Sequence, residues 1–92
     1  MKEMLEIIKE YVIRVEGLSF PVKARIMKRS DGYYEWEISH YYKPENGVDF
    51  YSPDQQSGDS IQRVETLLSY YVKGMSAVDK GFTTTVKPNP NY

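Results

Sequence analysis

The feature that most constrains the fold is a pair of alternating stretches that meet at Ser30-Asp31-Gly32. Side chains of a β-strand point to alternate faces, so only some hairpin registers place core-face residues opposite each other. A two-residue turn would set Ile26 against Glu37 and mix the faces. A three-residue loop keeps the faces apart and puts Gly32 where a left-handed residue is favoured. The predicted core-face pairs are Phe20 with Tyr42, Val22 with His40, Ala24 with Ile38, and Ile26 with Trp36.

A third strand is predicted before this hairpin. Apolar and polar residues alternate over about residues 11–16, and a loop at residues 16–19 would pair this strand with the first arm of the hairpin. Residues 1–10 have apolar positions at helical spacing and are interpreted as a short helix or frayed segment. One long strand from about residue 5 is the alternative. The predicted pairs are Val15 with Phe20, Ile13 with Val22, and Tyr11 with Ala24.

An amphipathic helix is predicted after the turn-rich segment 52–58. Its apolar residues recur with a period near 3.6, as expected of a helix with one buried face. Asp59 can cap the N-terminus, and Ser60 is the alternative cap. Gly74 occupies a position where a left-handed residue would end the helix. We expect the following stripe to pack on the sheet face that carries Trp36: Ile61, Val64, Leu67, Leu68, Tyr71, Val72 and Met75.

The C-terminal part of the chain has strand composition at residues 82–86 and two prolines near its end. Residues 82–86 can add a fourth strand. Proline cannot continue a ladder, so residues 88–92 are expected to form a loose tail. Together these elements predict one α+β domain over residues 1–87. Its expected architecture is a three- or four-stranded antiparallel meander with one main helix packed on one face.

Composition limits the chemistry available to this domain. The 92 residues include no cysteine and one histidine, so disulfides, thiolate metal sites and Cys-His catalysis are excluded within one chain. We expect no bound cofactor and no metal. The net charge of −1 is low for an autonomous nucleic-acid-binding protein, and no apolar run is long enough to span a bilayer. The lack of cysteine and of an N-terminal signal sequence is typical of a cytoplasmic protein.

The remaining catalytic candidates have simpler structural interpretations. His40, on the core face of its strand, is more typical of a packed, hydrogen-bonded residue than of a catalyst. Glu35 and Glu37 share a strand face, but Arg25 opposite Glu37 favours an ion pair over acid–base chemistry. The sequence therefore predicts a protein without enzymatic activity. Three further acids match no calcium-loop spacing and are typical of turns and caps: Asp49, Asp54 and Asp59.

Tyrosine is abundant, at nine of 92 residues, and tyrosine is enriched in protein interfaces. The leading functional hypothesis is therefore a protein partner, with a homodimer through an edge strand as one form of it. The predicted binding face is an aromatic cluster beside the polar loop: Tyr41, Tyr42, Phe50 and Tyr51. The alternative is a nucleic-acid-binding sheet face on which cations lie among aromatic rings. Its candidate residues are Lys23, Arg25, Arg29 and Tyr33.

Four segments of the sequence resemble the HicB-like antitoxin domain family over about residues 20–75. They are Phe20-Pro21-Val22-Lys23-Ala24-Arg25, Asp31-Gly32-Tyr33-Tyr34-Glu35-Trp36-Glu37-Ile38, Ser57-Gly58-Asp59-Ser60-Ile61 and Tyr71-Val72-Lys73-Gly74-Met75. In that family a hairpin is followed by a Gly-Asp-Thr/Ser helix start, and the helix packs on the sheet. The family's Pro-Asp-Leu-Pro-Gly-Cys-like stretch is missing here, where residues 39–56 are longer and rich in tyrosine. The resemblance implies a small protein that binds a toxin or another protein and has no catalytic activity.

Overall fold

A computed structural model describes residues 4–44, 50, 53, 55–75 and 84–92. Four strands form one antiparallel sheet in the order β1-β2-β3-β5, and a second, two-stranded antiparallel sheet pairs β4 with β6. One helix packs on the larger sheet, so the predicted α+β class is confirmed. The elements in chain order are β1 (Glu6–Ile13), β2 (Val22–Lys28), β3 (Tyr34–Ile38), β4 (His40–Pro44), β5 (Ser57–Gly58), α1 (Ile61–Met75) and β6 (Thr84–Pro88).

The β2–β3 hairpin has the predicted register. Ile26 lies opposite Trp36 and Ala24 lies opposite Ile38. The Arg29 amide donates to the Tyr33 carbonyl at 2.8 Å, which closes the three-residue loop. Gly32 has a φ of 89°, the left-handed conformation that the loop requires of its last residue. The residues of the turn are therefore sufficient to set the register of this hairpin, without contacts from distant parts of the chain.

The hairpin ends at Ile38, earlier than predicted. The Ser39 hydroxyl accepts the Lys23 amide at 2.9 Å, while the Ser39 amide donates to the Lys23 carbonyl at 2.8 Å. A side-chain oxygen thus replaces a backbone acceptor, and the chain bends away at this residue. His40 begins β4 in the second sheet instead. The predicted pairs of Val22 with His40 and Phe20 with Tyr42 are therefore wrong, although the Phe20 and His40 rings remain 5.1 Å apart.

The N-terminal segment is a strand and not a helix, so the alternative interpretation of residues 1–10 applies from Glu6 onward. The predicted pairs of Ile13 with Val22 and Tyr11 with Ala24 are confirmed, whereas the ladder stops before Val15 and Phe20. A register shift between Ile7 and Lys9 marks a β-bulge near the start of β1. The helix predicted from the spacing of apolar residues does not form, because the edge of β2 offers this segment backbone hydrogen-bond partners and a short isolated helix is only marginally stable.

The C-terminal strand does not extend the main sheet. Residues 84–88 pair with β4, and the first two residues of the predicted 82–86 strand lie outside the described residues. Residues 88–92 are held in place, contrary to the expected loose tail. The Asn89 side-chain amide donates to the Ile38 carbonyl at 2.9 Å, and the Arg25 guanidinium lies 4.3 Å from the centre of the Tyr92 ring. Pairing of β6 with β4 thus places the C-terminal residues against the main sheet.

Helix α1 covers one face of the main sheet with the predicted stripe. Its buried residues are Val64, Leu68 and Met75, and the Tyr71 ring lies 5.7 Å from the Trp36 ring. The helix is N-capped by the alternative residue, since the Ser60 hydroxyl accepts the Arg63 amide at 3.1 Å. No helix among the described residues is long and apolar enough to cross a membrane. The sheet contributes the rest of the core: Val22, Ala24, Ile26, Trp36 and Ile38, with Val15 from the β1–β2 loop.

Gly74 does not end the helix, which continues to Met75. Among the described glycines only Gly17 and Gly32 have positive φ, so Gly74 is not a left-handed cap. A Cβ atom built at this position would overlap the Tyr42 hydroxyl and lie 2.8 Å from its Cζ. Gly74 is therefore required because strand β4 places a tyrosine ring directly against the helix backbone.

Candidate protein-binding edge

The main sheet has two edges, and they differ in length. Strand β5 on one side is two residues long, while β1 on the other is eight residues long. Folded proteins protect sheet edges by keeping them short, by adding a bulge, or by placing charges on them. The β5 edge is protected by its shortness. Among the described residues, no strand pairs with the outer side of β1, so within this part of the chain its outward backbone donors and acceptors have no strand partner.

Exposed apolar side chains concentrate on or beside this edge. Met4 is 89% exposed, Val12 is 66% exposed and Ile7 is 49% exposed. Val12 points away from the helix, beside Lys23 of the neighbouring strand. An exposed edge that is also apolar is a surface on which a further strand can pair and bury hydrophobic area.

A groove runs between β1 and the helix, with a volume of about 400 Å³. Tyr11 and Ile13 contribute its strand wall, because the β1–β2 register turns both residues toward the helix. The helix wall consists of residues spaced three and four positions apart, which share one helix face. These are Glu65, Leu68, Ser69, Val72 and Lys73. A strand added to β1 would direct every second side chain into this groove.

Charged and hydroxyl groups close the groove at one end. The Tyr11 hydroxyl donates to Glu65 Oε2 at 2.7 Å, and Lys9 Nζ lies 3.3 Å from the same oxygen. Burial and, after it, the bond to Glu65 raise the pKa of Tyr11 to about 12. The bonds from Tyr11 and then Lys9 lower the pKa of Glu65 below its usual range. Near the other end, Lys73 forms no ion pair within the described part of the chain.

We expect the pKa of Tyr11 to fall in a Glu65→Gln variant yet to stay above 10.0, because burial is the larger of its causes. The measurement is an NMR titration of the tyrosine ring carbons, with Tyr11→Phe assigning the resonance. Since the folded state holds this proton more tightly, its stabilising effect is complete below pH 10 and is lost as the pH rises toward 12. Glu6→Gln, on the same strand, is the matched control. A Tyr11 pKa that is unchanged in Glu65→Gln would contradict the hydrogen bond between Tyr11 and Glu65.

The aromatic cluster predicted from the sequence is divided by the structure. Tyr42 turns toward the helix, with its ring 5.0 Å from that of Tyr71, and burial raises the pKa of Tyr71. Tyr41 is half-buried and packs against the core. The Phe50 ring lies under two ammonium groups, 4.5 Å from Lys87 Nζ and 5.5 Å from Lys43 Nζ. Tyr51 lies outside the described residues. Tyr41 and Tyr42 therefore contribute mainly to packing.

The cations predicted to bind nucleic acid mostly have acidic partners. Arg25 Nη2 lies 2.7 Å from Glu37 Oε2, which confirms the predicted pair, and Arg29 Nη2 lies 2.8 Å from Asp31 Oδ2. Lys23 is exposed and Tyr33 is half exposed at the hairpin loop. A phosphate would compete with these carboxylates for both arginines. The nucleic-acid hypothesis stays a prediction supported chiefly by Lys23 and Tyr33.

The candidate catalytic residue His40 contacts a neighbouring hydroxyl group. His40 Nδ1 lies 2.8 Å from the Ser39 hydroxyl, and burial lowers the pKa of His40. Within the described residues, no three side chains of the metal-binding types are grouped to hold a metal ion. Of the three acids assigned to turns and caps, Asp59 precedes the capping serine, and Asp49 and Asp54 lie outside the described residues.

An edge strand was predicted as one form of protein contact, but β1 was not identified as that strand, although the sequence holds a signal for it. Val12 is an apolar residue on the otherwise polar face of its strand. Ser69 is a small residue beside the apolar stripe of the helix. Each is unremarkable alone, and only the tertiary structure places both next to an open edge. Comparisons with protein-family models, curated proteins and solved structures find no match to this chain. The resemblance to HicB-like antitoxin domains therefore stays a prediction from the sequence.

Proposed function

We propose that this protein is a cytoplasmic, non-enzymatic protein-binding module that captures an extended segment of a protein by strand addition to β1. The observation that carries the proposal is the eight-residue edge strand with no partner on its outer side among the described residues. Strand addition supplies affinity through main-chain hydrogen bonds and specificity through pockets for alternate side chains. The outward backbone groups of β1 and the groove beside this strand can meet these two requirements.

The groove supports the proposal by offering an alternate-side-chain pocket beside the strand. Its apolar walls include Ile13, Leu68 and Val72, which suits an aliphatic or aromatic side chain of the added segment. Lys73 provides a cation at the rim that can attract an acidic residue. We therefore expect preferred segments to alternate, with apolar residues facing the groove and an acidic residue near Lys73.

The sequence supports the same class of function. Its single histidine and lack of cysteine leave little for catalysis, and the HicB-like resemblance also implies a protein partner. The lack of cysteine suits a cytoplasmic protein. The pairing of Arg25 and Arg29 with acids makes nucleic-acid binding the less favoured alternative.

The proposal is tested by selecting random short peptides displayed on phage against the immobilised full chain. We expect the selected peptides to alternate in hydrophobicity and to slow amide hydrogen exchange in β1 when added as synthetic peptides. Ser69→Phe should weaken their binding by about tenfold or more, because the new ring fills the groove from an exposed helix position.

Thr66→Phe is the matched control, since Thr66 is also exposed on the helix but does not line this groove. Its binding should equal that of the unmodified protein. Peptides that bind equally well to Ser69→Phe, or that leave exchange in β1 unchanged, would place recognition elsewhere and overturn the proposal. Loss of the fold in either variant is detected by fluorescence of the single tryptophan.

A further inference from the structure

The open edge of β1 is protected over only part of its length. The bulge between Ile7 and Lys9 interrupts regular pairing near the start of the strand. Lys9 does not guard the edge, because its ammonium group is bound to Glu65 on the helix. From Glu10 onward there is no bulge, and the ladder to β2 is regular as far as Ile13. The part of the edge without a bulge is therefore residues 10–13, followed by the exposed Arg14.

This short segment is complementary to itself when run antiparallel. With the two-fold axis at Val12, each Val12 faces its copy and Tyr11 faces the partner's Ile13. Glu10 then faces the partner's Arg14, so two opposite-charge pairs flank the apolar centre. An axis at Tyr11 would instead set Glu10 against the partner's Val12. An axis at Glu10 would set two carboxylates against each other.

From this complementarity we propose that the occupant of the β1 edge is a second copy of this chain, paired antiparallel about Val12. The proposal rests on the proposed function and names the partner of that site. A two-fold axis perpendicular to the sheet keeps both helices on the same side, so the two β1-helix grooves meet. Each Ile13 lies opposite the other copy's Tyr11, and both residues line a groove. The paired copies form one eight-stranded sheet, and Val12, which is 66% exposed in the single chain, packs against its copy on the sheet face opposite the helices.

The first test is the molecular mass of the full chain by analytical ultracentrifugation at micromolar to millimolar concentrations. We expect a monomer–dimer equilibrium that Val12→Lys weakens by about tenfold or more, because two ammonium groups would face each other across the axis. Tyr70→Lys is the control, since Tyr70 is exposed on the outer side of the helix. A monomer at every concentration, or a dimer that tolerates Val12→Lys, overturns the proposal.

A charge exchange tests the register. Glu10→Arg should weaken the dimer, since it sets two arginines against each other, and Arg14→Glu should weaken it likewise. The double variant Glu10→Arg, Arg14→Glu restores both opposite-charge pairs and should restore the dimer. Failure of the double variant to recover affinity would exclude this register.

Cysteine cross-linking gives a third measurement, because the natural chain has no cysteine. Two Val12→Cys side chains directly opposite each other lie within reach of a disulfide, so oxidation should yield a covalent dimer. Tyr33→Cys, at the far hairpin loop, should remain a monomer. If the chain stays monomeric but selected peptides still protect β1, the second-copy inference fails while the proposed strand addition stands. If neither is observed, both fail.

Discussion

Trp36→Ala is expected to lower the free energy of unfolding by about 3–5 kcal/mol, the largest loss we predict for a single substitution. Trp36 is 1% exposed and lies at the centre of the sheet face that the helix covers. Its removal would leave a cavity between β3 and the helix next to Tyr71, and the surrounding strands can close such a space only partly. A small domain has a total stability of about 5–15 kcal/mol, so this single substitution should remove a substantial fraction of it.

The same residue also fixes the segment that leads to the helix. Trp36 Nε1 donates to the Gln55 carbonyl at 2.9 Å, and its amide donates to the Gln56 carbonyl at 2.9 Å. Trp36→Phe, the control, keeps one aromatic ring but loses the indole hydrogen bond and part of the buried volume, so its stability should fall between the other two proteins. Urea unfolding followed by far-UV circular dichroism measures all three. An unchanged midpoint for Trp36→Ala would contradict the central position of this residue.

Local chemistry explains why the β2–β3 hairpin could be predicted in detail. The register depends on a three-residue loop and on side-chain alternation within about a dozen neighbouring residues. Arg25 and Glu37 then meet because this register sets them directly opposite each other. The helix was predictable for a similar reason, since its apolar stripe repeats every three to four residues and buries itself on whatever apolar face is available.

The second sheet could not be predicted because its pairing depends on distant parts of the chain. Strand β4 pairs with β6, whose residues lie 40 to 48 positions further along the chain, and nothing within His40–Pro44 favours this partner over β2. The two strands of the hairpin separate at Ser39. Its hydroxyl accepts a hydrogen bond from the Lys23 amide, and the hairpin ladder ends there. A serine in a strand is ordinary in sequence, so its effect is visible only in the structure.

The candidate binding edge was missed for a related reason. Sequence patterns indicate which residues pair, whereas an open edge is defined by the pairing that a strand lacks on one side. The groove also requires Tyr11 and Val72 to line the same space between strand and helix, which no spacing rule specifies. The tyrosine cluster was the more visible feature, and the structure uses Tyr42 chiefly for packing on the helix.

Gly74→Ala provides a test that separates the two interpretations of this glycine, as a helix cap or as a point of close approach. The added methyl group would meet the Tyr42 hydroxyl and ring, and overpacking of this kind costs about 1–3 kcal/mol. Alanine favours a helix interior over glycine by about 1 kcal/mol, which offsets part of that cost. We therefore expect a net loss of about 1 kcal/mol, measured by urea unfolding with Trp36 fluorescence.

The sign of the effect should reverse when the tyrosine is removed. A Tyr42→Ala background removes the three atoms nearest to the methyl group, so Gly74→Ala should stabilise the protein by up to about 1 kcal/mol through helix propensity. A left-handed cap would give the opposite result, because alanine is strained at positive φ whatever occupies position 42. Ser69→Ala, on the same helix, is the control and should be nearly indifferent to Tyr42→Ala. Loss of stability from Gly74→Ala in both backgrounds would contradict the close approach, and reversal would show that Tyr42 is the side chain that the added methyl group meets.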